Sequence, residues 1–301
     1  MLRKFREVTP DVIILIFFIS LLVWAKAFIH PETASSLDFD TKPMPLFFII
    51  LPVTDFSPVV SVIFTYLLVL LVAFLLVNFN TSQFFMGERT FLPALLFVLF
   101  SGLIPGQQVL NPVLPAAVFL ILALRRIMDA YKTQWIAYSF FDAGLLISIG
   151  SLFYAGLIWF GIILFIGIAI LRTGNIREIT ISVLGLAAPW FLAGGICYVA
   201  GLDLNEFFST IRYNLLQREG TFYLQKATIG MMVMFAVVFL ISLFGLISAL
   251  NTKKIRSRKT FVLLIWNFVL AIALIILLKP VSYEILWLAY IPASFIISHY
   301  F

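Results

Sequence analysis

The sequence predicts an all-α, polytopic membrane protein, on three observations. Of its 301 residues 63% are hydrophobic and only 11% charged, and the mean hydropathy is +1.12, outside the range of chains that fold in water. The apolar residues fall in runs of about 14 to 24 separated by short charged patches, which is the spacing a bilayer imposes. Lys and Arg concentrate in alternate connections, as expected where positive residues stay on the cytoplasmic side.

Read in order, the runs place spans near 11 to 29, 57 to 79, 91 to 104, 111 to 124, 136 to 153, 155 to 171, 180 to 200, 227 to 250, 261 to 278 and 284 to 301. These make about ten transmembrane helices in one membrane domain, 1–301. Helices are required because backbone groups in lipid must be satisfied within their own segment. The first run follows the basic start MLRKFR and resembles a signal peptide, but Ala25-Lys26-Ala27 is a poor cleavage site and apolar residues continue to Ile29. An uncleaved first helix is expected. Phe91–Ile104 and Pro112–Leu124, at about 14 and 13 residues, suit either short spans or a re-entrant hairpin. Pro105-Gly106 and Asn111-Pro112 supply the turn between them, and Tyr154-Ala155-Gly156 a second tight turn.

Orientation follows from charge. Arg3, Lys4, Arg6, Arg89, Arg125, Arg126, Lys132, Arg172, Arg177 and the cluster from Lys253 to Lys259 share one side, making both termini cytoplasmic. The net charge of +6 then needs no nucleic-acid partner; membrane lipids with anionic headgroups suffice. The expected location is a bacterial inner membrane.

Two outer segments are long enough to build a site: residues 30–56 and 201–226. The first carries His30, Glu32, Asp38 and Asp40, then PMPLFFIILPV, too short to span and suited to the interface. A divalent cation at Asp38 and Asp40 is open, as is a solvated acidic loop. In the second, Leu204, Phe207, Phe208, Ile211, Leu215 and Leu216 recur at helical spacing, predicting an amphipathic surface helix. Asp203 and Glu206 stand at the N-cap and N3 positions. Arg212 and Arg218 then lie at headgroup level, where guanidinium groups suit lipid phosphates or simply anchor the helix.

Within the spans the outlying residue is Asp142, about seven residues into the fifth, roughly 10 Å below its cytoplasmic end. Three readings remain: a proton-relay or substrate role, a helix N-cap if the helix starts later, or a protonated carboxyl bonded to a neighbour. Lys26 is placed to snorkel and Asn267 to bond between helices.

Other chemistries lack their residues. His30 and His299 are the only histidines and Cys197 the only cysteine, excluding a multi-histidine metal centre, a cysteine zinc site or an iron-sulfur cluster within this chain. No P-loop and no GxGxxG is present, so no cofactor is expected.

The order of segments resembles the GT-C superfamily, membrane glycosyltransferases that use polyprenol-phosphate sugars. The matching strings are LDFD at Leu37–Asp40, PMPLFF at Pro43–Phe48, RTFLPALLFVLFSG at Arg89–Gly102, the Gly-punctuated pair Asp142–Phe165, and IREITISVLGLAAPW at Ile176–Trp190. The resemblance implies Asp40 or Asp38 as base for an acceptor hydroxyl, Arg212 or Arg218 holding the carrier phosphate, and a polyprenol-phosphate partner. Two departures stand: GQQVLN occupies the place of a second outer acidic motif, and no outer C-terminal domain follows. The competing expectations are a proton-coupled carrier or channel built on Asp142, and a non-catalytic membrane subunit or scaffold.

Overall fold

A computed structural model describes residues 10–31, 42–52, 57–104, 107–131, 136–171, 176–217, 226–277 and 283–301. These residues are all-α. Twelve α-helices follow in chain order: α1 Pro10–Ile29, α2 Pro45–Ile50, α3 Pro58–Gln83, α4 Leu92–Phe100, α5 Val113–Asp129, α6 Ile136–Ser151, α7 Ile162–Leu171, α8 Ile176–Val199, α9 Leu204–Arg212, α10 Lys226–Ala249, α11 Ile255–Leu277 and α12 Leu286–Tyr300.

Five of them are long and apolar enough to cross a membrane: α1, α3, α8, α11, and α10 with its 3-10 extension to Thr252. The remaining expected spans are helical but shorter. Phe91–Ile104 forms only the nine-residue α4, about 13.5 Å of helix against a hydrocarbon core of about 30 Å. The run after Tyr154 begins as a 3-10 segment, Ala155–Gly161, before α7. α3 starts cleanly because Ser57 accepts the Val59 N–H and Pro58 follows it.

The short α4 ends where sequence alone allowed a re-entrant turn, and Gln107, Gln108 and Asn111 after it are buried in protein. Gln108 Nε2 donates to the Val23 carbonyl at 3.2 Å, and Asn111 Oδ1 accepts from Val113 and Leu114 N–H, both at 3.1 Å, capping α5. Non-helical backbone is tolerated at membrane depth only when covered in this way. Trp24 donates its indole N–H to Ser101 Oγ at 2.9 Å, and Ser20 bonds the Tyr66 hydroxyl at 2.6 Å, fixing α1 against α4 and α3.

At the centre lies α12, buried from Leu286 through Ser298. It packs against α4, α5, α10 and α11, with ring contacts such as Phe79–Phe295 and Phe97–Trp287 at 5.6 and 5.9 Å. A helix apolar all round takes the interior position. Across the packed stripe of α11, Asn267 is fully buried, and among the described residues neither of its amide atoms has a hydrogen-bond partner; the interhelical bond expected of it is not found there.

The connections sort to two ends of the bundle. At one, Gln83 Nε2 donates to Asp129 Oδ1 at 2.7 Å, Arg256 donates to Gln83 Oε1, and Lys259 Nζ donates to the Leu171 carbonyl at 3.2 Å. This basic end gathers the termini of α3, α5, α7 and α11. Lys253 there sits 5.6 Å from the Phe261 ring centre, and burial pushes its pKa below the usual lysine value. The opposite end carries α2 and α9.

Candidate functional site

The two segments singled out in the sequence meet at that opposite end. Asn214, beyond α9 in a π-helical turn Tyr213–Gln217, donates from Nδ2 to the Lys42 carbonyl at 2.8 Å. Its Oδ1 accepts the Lys42 N–H at 3.1 Å. The Lys42 ammonium lies 5.0 Å from the Tyr213 ring centre, a cation–π contact. The Leu46 N–H donates to the Leu152 carbonyl at 3.1 Å, fixing α2 to the end of α6.

Under this clamp is an apolar groove of about 640 Å³. One wall is α6 and the residue after it, through Leu145, Ile149 and Leu152; the other is α8, through Ala188, Pro189, Leu192, Ala193, Ile196 and Cys197. α2 and α9 line its mouth. Its origin is local. α6 and α8 touch closely at Gly144 and Gly185: a Cβ at Gly144 would stand 2.8 Å from the Ser182 carbonyl oxygen, and one at Gly185 would collide with that of Phe141. Leu145 borders this contact, and the other wall residues of α6 and α8 follow it along both helices. Pro189, inside α8, lacks the N–H that would bond the Gly185 carbonyl.

The groove opens sideways. Leu192 and Ile196 on α8 are 64% and 69% exposed, and Phe48 on α2 is 66% exposed, so its apolar lip is continuous with the exposed apolar surface of α8. Its polar mouth is Asp203, Glu206 and Thr210. Asp203 caps α9 as the sequence suggested, its Oδ1 accepting the Asn205 N–H at 2.8 Å. Phe207 anchors α9 on α8 through Trp190, 6.3 Å between ring centres, while Phe208 and Leu216 face outward.

Of the residues marked from sequence, Arg212 occupies the exposed last turn of α9. Asp38, Asp40 and Arg218 lie outside the described residues. Asp142 is not an N-cap, because α6 begins at Ile136; its Oδ2 stands 3.6 Å from Arg126 Nε, the side chains 44% and 53% exposed. The carboxylate therefore has a cationic partner on α5. Among the described residues no group of three His, Cys, Asp or Glu is arranged to hold a metal. Sequence reasoning missed Asn214 and the groove walls. The glycines of α6 and α8 and Pro189 were their visible signal, but spacing alone did not pair those helices.

A helical bundle with five membrane-length apolar helices has the layout of a multi-spanning membrane protein. The chain belongs to DUF6427, a family of unknown function, whose model matches residues 42–301. The matched stretch contains the groove, Arg212, Arg218 and Asp142, and begins after Asp38 and Asp40. No curated protein and no solved structure matches the chain.

Proposed function

We propose that this protein handles lipid-borne substrates at the outer face of a bacterial inner membrane, with both termini in the cytoplasm. The observation that carries the reading is the lateral groove, whose apolar walls suit a hydrocarbon chain and whose mouth lies at the level of the interfacial helices α2 and α9. A site built this way takes its substrate from the bilayer and presents the headgroup to groups beside the mouth. In the GT-C-like form of the reading, the substrate is a polyprenol-phosphate sugar. Asp38 or Asp40 accepts the proton of an acceptor hydroxyl, and Arg212 or Arg218 stabilises the departing phosphate.

The test compares lipid-linked sugar intermediates and surface glycans in cells with the protein, without it, and with an Asp38→Asn, Asp40→Asn double variant. Donor lipid that accumulates without the protein and is cleared only by the wild type supports sugar transfer. An unchanged profile in all three strains overturns it.

A further inference from the structure

The groove has an asymmetry that composition does not suggest. The chain is basic overall, yet among the described residues the polar side chains lining the groove mouth are Asp203, Glu206 and Thr210, two carboxylates and a hydroxyl. Arg212 lies past them on α9, and Lys42 is engaged over the Tyr213 ring. A bare phosphate drawn to this mouth would face two negative groups. An ammonium would face two partners at a low-dielectric boundary, where the attraction exceeds that in water.

From this complementarity, and from continuity of the groove walls with the lipid-facing surface of α8, we infer that the groove binds a phospholipid whose headgroup ends in a primary ammonium. The acyl chain lies between α6 and α8, the ammonium meets Glu206 and Asp203, and Thr210 offers a hydroxyl to the headgroup oxygens. The inference rests on the groove being a lipid-chain site, as proposed above, and names an alternative occupant to the polyprenol-phosphate sugar.

Cys197 lines the groove and is the single cysteine of the chain, so a maleimide photocrosslinker attaches there without further engineering. The full-length protein carrying this label is reconstituted into bilayers of phosphatidylethanolamine and phosphatidylglycerol in equal amounts with matched chains. It is then irradiated, and the captured lipids are identified by mass spectrometry. The expected result is enrichment of phosphatidylethanolamine by about 1.4-fold to fivefold, the range for an exposed ion pair. Glu206→Gln lowers the enrichment without lowering total capture; Asp203→Asn, which keeps the helix cap, does the same and guards against misfolding of the first variant. Ala193→Trp, which fills the groove, lowers total capture. Unbiased capture, or a bias to phosphatidylglycerol, with Ala193→Trp still effective overturns the ammonium assignment alone. Capture that is indifferent to Ala193→Trp overturns the lipid-chain reading as well.

Discussion

The side-chain amide of Asn214 bonds both backbone groups of Lys42, donating at 2.8 Å and accepting at 3.1 Å. Because Asn214 is buried, removing its amide strands two backbone groups. Asn214→Ala should cost about 1 to 3 kcal/mol of local stability. Hydrogen exchange should rise in residues 42–50 and 204–217 while α12 stays protected. Unchanged exchange in both segments would show that the clamp contributes nothing.

The Gly144–Gly185 contact sets the width of the groove's closed end. Gly185→Leu forces α8 away from the Phe141 carbonyl, and overpacking of this kind costs about 1 to 3 kcal/mol. The thermal midpoint of the purified protein should fall. Gly195→Leu, where nothing lies within 4 Å of a new Cβ, is the control and should leave the midpoint in place.

Asp142 and Arg126 form a pair 3.6 Å apart with both side chains about half exposed. A double-mutant cycle using Asp142→Asn and Arg126→Gln should give a coupling energy of about 0.2 to 1 kcal/mol. A carrier built on Asp142 predicts loss of pH-dependent transport in Asp142→Asn. The lipid-substrate reading predicts an unchanged glycan profile in the same variant.

Gln83 is buried, donating to Asp129 and accepting from Arg256. Gln83→Leu removes both bonds and leaves the charged groups to rehydrate. It should destabilise the basic end by about 1 to 3 kcal/mol, seen as a lower unfolding midpoint. Asn80, which donates to the Glu88 carbonyl at 3.0 Å, should behave similarly as Asn80→Leu.

Sidedness is testable in a Cys197→Ser background. Single cysteines at Lys42 and Asn205 should react with an impermeant maleimide added outside intact cells, while one at Lys254 should react only after permeabilisation. Labelling of all three on one side would refute the assignment of the two ends.

Much of the architecture was legible in the chain because the bilayer's demands are local. A long apolar run must satisfy its own backbone, so α1, α3, α8, α10 and α11 follow from run length, and α9 with its Asp203 cap follows from helical spacing. The basic end gathers Arg256 and Lys259, two of the residues that the charge pattern placed on one side. What only the tertiary structure decided depends on which helices touch. Run length could not make α4 nine residues long or bury α12 at the centre, since both depend on neighbours covering polar turns and apolar faces. Nor could it give Asp142 a partner on α5, join Lys42 to Asn214, or open a groove between α6 and α8. Hydropathy records how much a segment prefers lipid; pairing is set by the shapes of facing side chains, which in an apolar medium have no hydrophobic gradient to reveal them.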